Sequence, residues 1–326
     1  MTRLVTPRVR LAVRWLIALV VIGALLSLVD VGAIGQRLRG TDLRLAIPAV
    51  VGLVLVHLVA AATWRRLLQD VSGISLAWPA TVRSYFAAQA LGMVTPANVG
   101  ADAYRVLAMG DGATRGQLLR PVVVQRLTSI VALAVLGLGG AIALPIDGLG
   151  LFVLAVSIVG GAAAWIALAL VRPPSAAGWS GMVARRIGWN ADTAPGRARV
   201  RSAIRDGLGL GLVFHGASLL LALVLVGAVD PVTASHPETV LAALAIARIS
   251  LAVPISPNGL GVQEGVLVLL FSRLGLPAET AIAAALLNRL ALLLTAAIGL
   301  VALMAPSRDR SRSVAVARPS RRVAGG

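Results

Sequence analysis

The chain has 326 residues, 58% of them apolar and only 13% charged, with a formal net charge of +17. Soluble domains carry about a quarter charged residues, whereas several runs here approach the roughly 20 apolar residues that cross a bilayer, so a soluble core is excluded. Lysine and cysteine are absent and all 30 cations are arginine; a GC-rich genome explains the first, and the missing thiols exclude disulfides and thiolate metal sites.

The N-terminal "MTRLVTPRVRLAVRW" precedes an apolar run to Val29 without a small-residue cleavage site, and reads as a retained first span. Spans are expected over 11–29, 45–63, 120–144, 149–171, 207–229, 238–254, 261–276 and 279–304. The mildly apolar stretch 79–100 is broken by Pro96 and Gly100 and reads as a re-entrant or interfacial hairpin, which membranes tolerate only where protein or a wet cavity surrounds it. Residues 172–206 are a polar linker. In it Val200, Ile204 and Leu208 recur at helical spacing among Arg197, Arg201 and Arg205, which fits a short helix on anionic lipid as well as it fits a solvated loop. From Ser307 onward the chain is rich in Arg, Ser and Pro and is expected to be disordered. The expected organisation is one membrane domain, 1–306, with 172–206 as a cytoplasmic basic linker, and a basic cytoplasmic tail, 307–326.

Charge bias orients these spans. With the N-terminus in the cytoplasm, 23 of the 30 arginines fall inside and four outside (Arg37, Arg39, Arg44 and Arg273). Arg126, Arg248 and Arg289 fall within spans. The bias puts both termini in the cytoplasm. Arginines that flank apolar spans point to anionic lipid headgroups, not nucleic acid.

"PISPNGLGVQEG" at 254–265 puts two prolines, three glycines, an asparagine and a glutamate between apolar runs. "TPANVGADAYR" at 95–105 echoes it: Ser or Thr, Pro, Asn, Gly, then an acid, Asp102 or Glu264. Each is followed by an amide–Arg–Leu triplet, "QRL" at 125–127 and "NRL" at 288–290, with 24 residues from acid to arginine in one copy and 25 in the other. The arginine helix starts inside in the first copy and outside in the second, the pattern of an inverted repeat with two broken helices. A half-helix N-terminus offers free N–H groups to an anion, and glycine lets a ligand approach the backbone. Alone, either segment reads as a tight interfacial turn whose acid favours its own helix; the recurrence with intramembrane arginines favours a site. Asp102 and Glu264 are expected to pair with Arg126 and Arg289, or to carry protons, since an unpaired arginine in hydrocarbon costs about 3 kcal/mol or more. Arg105 is the candidate headgroup contact at the cytoplasmic rim. Arg248 either faces the same cavity or reaches its edge.

His57 and His215, isolated within spans, are expected to be packed and hydrogen-bonded. The tryptophans lie mostly near predicted boundaries, as interfacial tryptophans do. No HExxH, GxSxG, SxxK, P-loop or cysteine cluster is present, so neither enzymatic activity nor a cofactor or metal site is expected.

"TPANVGADAYRVLAM", "VVVQRLTSIVAL" and "PISPNGLGVQEGVLVLLFSRLGLPAETAIAAALLNRLALLL" resemble the lysylphosphatidylglycerol synthase transmembrane-region family, over about 64–303. The resemblance implies a flippase-like polytopic helical domain that moves or binds lipids between leaflets. Family copies usually read "GGLGVREG" where this chain has "NGLGVQEG", so Asn258 and Gln263 depart from the pattern. The aminoacyltransferase domain of the synthases is not expected here.

The resulting expectation is an all-α polytopic integral membrane protein of about eight transmembrane helices plus a re-entrant hairpin. It would translocate an anionic phospholipid or lipid-linked headgroup, with Asp102, Arg105, Arg126, Glu264, Arg289, Asn98 and Asn258 binding substrate and Gly100, Gly259 and Gly261 allowing close approach. The competing reading is a non-transporting lipid-binding partner of a cell-envelope glycosyltransferase or lipid-modifying enzyme.

Overall fold

The computed structural model describes residues 16, 19, 23, 30–95, 98–107, 114–143, 156–166, 196–250, 256–304 and 314–316. Most of the expected first span, 11–29, lies outside them, as do residues 149–155 and 167–171 of the expected span 149–171, residues 172–195 of the linker and most of the tail.

The elements are α1 (Val31–Arg39), α2 (Leu43–Ser72), β1 (Ile74–Leu76), α3 (Trp78–Met93), α4 (Val99–Leu107) and α5 (Arg115–Ala143), then α6 (Val156–Ile166) and α7 (Arg197–Val229). After these come α8 (Pro231–Ala234), α9 (Pro237–Ile249), α10 (Val262–Arg273), α11 (Ala278–Met304) and β2 (Val314–Val316). β1 and β2 pair antiparallel, Ile74 opposite Val316, so three residues of the tail form a short ladder.

Among the described residues, four helices are long and apolar enough to cross a membrane: α2, α5, α7 and α11. Their polarity is that of a protein in lipid. Leu45, Ile47, Val51 and Leu55 of α2, and Leu290, Leu293, Leu300 and Val301 of α11, are exposed, while the arginines and amides described below turn inward. In water such an apolar exterior would aggregate; in hydrocarbon it costs nothing.

Small residues let the helices approach. Gly52 of α2 lies against Leu221 of α7, and a Cβ on Gly140 of α5 would fall 2.8 Å from the Ala242 carbonyl oxygen of α9. A Cβ on Gly299 of α11 would collide with the Phe86 carbonyl of α3. Ala46, Val50 and Leu53 of α2 bury themselves against Leu225 and Ala228 of α7 and Ala291 of α11.

Hydrogen bonds define the two ends of the bundle. At one, Asp42 N–H donates to the Ala228 carbonyl, and Asp230 takes Arg37 and the Thr280 hydroxyl. At the other, the Ser72 hydroxyl donates to the Gln117 carbonyl, Arg66 meets Asp206 at 3.2 Å, and Arg83 Nε donates to the Ala302 carbonyl. α2 and α11 therefore run one way, α5 and α7 the other.

Three expectations are corrected. Among the described residues the stretches 238–254 and 261–276 hold helices of 13 and 12 residues, about 20 and 18 Å long at 1.5 Å per residue, short of the ~30 Å hydrocarbon core; residues 251–254 of the first lie outside the described residues. α9 leaves the Asp230 end and α10 returns to it, so the two form a hairpin whose tip, 256–261, lies inside the bundle. The Val200–Ile204 stripe is no separate interfacial helix: α7 is continuous from Arg197, and Val200 and Ala203 are buried with Leu67, Val71 and Val124. Trp64 is not interfacial but wholly buried. The stretch 79–100 does form a hairpin, α3 followed by α4, entering from the opposite end to α9 and α10.

Candidate functional site

The two hairpin tips meet. Asn98 and Asn258 are the only non-glycine residues with positive φ among those described, at 59° and 45°, and Asn258 Nδ2 stands 3.2 Å from the Met93 sulfur. Asparagine tolerates the left-handed region better than other side chains.

In the first hairpin, the Thr95 hydroxyl accepts from Gly100 N–H at 2.8 Å. A Cβ on Gly100 would fall 2.5 Å from the Leu91 carbonyl oxygen, so this glycine serves hairpin packing and does not line the cavity. Asn98 Nδ2 donates to Gln89 Oε1 at 2.9 Å, and Gln89 Nε2 donates to the Tyr85 hydroxyl at 2.8 Å. One turn into α4, Asp102 Oδ2 receives Arg126 Nε at 2.7 Å and Nη2 at 2.6 Å. Arg105 is buried, 6% exposed, and not at a rim. Its guanidinium lies 4.8 Å from the Tyr85 ring centre and 5.2 Å from that of Trp64, within cation–π range. Its Nη1 donates to Gln125 Oε1 at 3.1 Å and stands 3.7 Å from Asp102 Oδ1. Its Nε is buried without a partner among the described residues.

In the second hairpin, Gly259 and Gly261 have φ of 68° and 81°, a conformation only glycine adopts freely. Glu264 Oε2 accepts from Gly261 N–H at 2.8 Å, and Oε1 accepts from Arg289 Nε at 2.7 Å. Arg289 Nη1 donates to the Asn258 carbonyl at 3.0 Å. The acid therefore caps its own helix and holds the arginine that braces the broken turn.

Between the tips and α2, α5, α7 and α11 lies a cavity of about 270 Å³ at mid-length of the long helices. Asp102, Arg105, Arg126 and Arg248 line it, with six side-chain amides: Gln89, Asn98, Gln125, Asn258, Gln263 and Asn288. Glu264, Arg289, Gly100, Gly259 and Gly261 are not among its lining residues; their neighbours Gln263 and Asn288 face it instead. Of the six amides, Asn98 and Asn258 were expected at the site and Gln89, Gln125, Gln263 and Asn288 were not, although amides inside apolar helices were the signal that could have found them.

His57 and His215 also line the cavity. His57 Nδ1 is 2.9 Å from the Leu53 carbonyl oxygen and His215 Nε2 is 2.9 Å from the Ser129 hydroxyl. Arg248 Nη2 reaches the Ser218 carbonyl at 3.4 Å, with no carboxylate within 4 Å among the described residues. Among those residues no group of three or more carboxylates or histidines is placed to hold a metal. The arrangement is suited to holding an anion with hydrogen-bonding substituents.

No curated protein and no solved structure matches the chain. Residues 11–299, which include both hairpins and the cavity between them, match the family described as the lysylphosphatidylglycerol synthase TM region: the chain belongs to this family.

Proposed function

We propose that the protein is a non-enzymatic lipid transporter of the bacterial cytoplasmic membrane, moving an anionic phospholipid or lipid-linked headgroup between leaflets through the cavity at the hairpin tips. The observation that carries this reading is the cavity itself: three arginines against one aspartate, at mid-depth, between two broken segments. Such segments build the substrate sites of secondary transporters. The family supports a role in lipid handling. The hairpins enter from opposite ends of the bundle, which supports an inverted repeat, with the first span and 149–171 completing a fold of about eight membrane segments. The end holding Arg66, Arg115 and Arg199 is cytoplasmic on this reading, as are both termini. Vesicles reconstituted with the purified protein and a headgroup-labelled anionic lipid test it by the rate at which an impermeant quencher reaches the inner-leaflet label. Acceleration over empty vesicles is expected. Lipid retained through purification but not moved would instead favour the lipid-binding partner of a glycosyltransferase or lipid-modifying enzyme.

A further inference from the structure

The charges and amides of the cavity define its ligand more narrowly than "anionic lipid". Among the described residues Asp102 is the only carboxylate lining it. Oδ2 of Asp102 is taken by Arg126 at 2.6 Å and Oδ1 faces Arg105 at 3.7 Å. No described carboxylate of the lining is left for an ammonium group. Three guanidinium groups against one carboxylate leave a formal charge of +2 facing the space. Among the described residues Arg105 Nε is buried and unpartnered, and Arg248 holds only a 3.4 Å contact to a carbonyl. Enclosed cations with so few acceptors favour an anion beside them.

The amides add a second requirement. The side chains of Gln263 and Asn288 make no hydrogen bond to any described residue, although both face the cavity. An amide both donates and accepts, and an alcohol of the ligand answers both. A volume of about 270 Å³ suits a headgroup, with the acyl chains left outside.

We propose that the cavity takes a phosphodiester bearing a neutral polyol, such as glycerol, inositol or a single sugar, and selects against headgroups that carry an ammonium group. Arg105 and Arg248 hold the phosphate, and Gln263 and Asn288 read the hydroxyls. This rests on the lipid-transport reading above.

The test is binding of short-chain lipids to the purified full chain in detergent, by titration calorimetry. The probes are phosphatidylglycerol, phosphatidylinositol, phosphatidic acid, lysylphosphatidylglycerol and soluble glycerol phosphate. The two polyol lipids should bind about tenfold or more tighter than each of the others. Lysylphosphatidylglycerol binding as tightly as phosphatidylglycerol would overturn the selectivity and leave the lipid reading standing, and phosphatidic acid doing so would overturn the role of the hydroxyls. Glycerol phosphate equal to the lipids, or no binding by any probe, would overturn the lipid reading as well. Arg248→Gln should weaken phosphatidylglycerol about tenfold. Asn288→Asp should shift preference towards lysylphosphatidylglycerol, a gain that misfolding cannot mimic; an unchanged ratio in that variant counts against the proposal.

Discussion

Arg289 Nε donates to Glu264 Oε1 at 2.7 Å while the other oxygen of the same carboxylate caps Gly261 N–H. One side chain thus starts α10 and anchors α11, and the arginine passes the restraint on to the Asn258 carbonyl. The matching pair, Asp102 with Arg126, differs in exposure: Arg126 is 41% exposed and Arg289 only 10%.

That difference predicts unequal consequences. Glu264→Ala strands a buried guanidinium and should destabilise by about 3–5 kcal/mol. Asp102→Ala should cost less, because Arg126 is the more exposed arginine and the buried Arg105 keeps its hydrogen bond to Gln125. Thermal melting in detergent of both variants, of Arg289→Met, and of Glu264→Ala combined with Arg289→Met checks this. The double variant should recover part of the loss, and a loss equal to the sum of the two single variants would count against a coupled pair.

Glycines at close contacts should be intolerant of a single methyl group. Gly100→Ala puts a Cβ 2.5 Å from the Leu91 carbonyl oxygen, and Gly299→Ala drives one into the Phe86 carbonyl. Each should lower stability by about 1–3 kcal/mol, whereas Gly139→Ala, with nothing within 4 Å, should be neutral or slightly stabilising, as Ala for Gly within a helix usually is. Melting temperatures of the three variants decide it.

Acid should loosen the Asp230 node. Burial works to raise this carboxyl, but hydrogen bonds from Thr233 and Thr280, with the Arg37 guanidinium, outweigh it and hold the group below the usual carboxylate range. With the folded value depressed, the unfolded chain takes up the proton first as pH falls. The stabilisation is therefore full above about pH 4 and is lost as pH drops through the folded value. Wild-type melting should fall steeply below about pH 4. Asp230→Asn should melt lower at neutral pH and show a shallower acid limb; parallel curves would refute the assignment.

Topology can be read with single cysteines, since the chain has none. In intact cells an impermeant maleimide should label Ser235→Cys, at the Asp230 end, and spare Thr114→Cys until the membrane is opened. The reverse pattern would invert the orientation.

The membrane class, the helical fold, the two broken segments and the pairing of each acid with the arginine 24 or 25 residues on were all legible in the sequence. They depend on local quantities: apolar run length, Pro and Gly as helix breakers, and the high cost of an unpaired charge at membrane depth, which forces a partner. Only the tertiary structure decided which way each side chain turns. Short apolar runs such as 261–276 do not reveal whether they cross the bilayer or turn back, because that depends on what packs beneath them. Gly100 looked like room for a ligand and is room for the Leu91 carbonyl. Arg105 looked like a rim residue and is buried over Tyr85 and Trp64, residues 20 and 41 positions away in the chain. The cavity is walled by α2, α5, α7 and α11 together, so its amides acquire a shared function only when helices distant in sequence bring them to one depth.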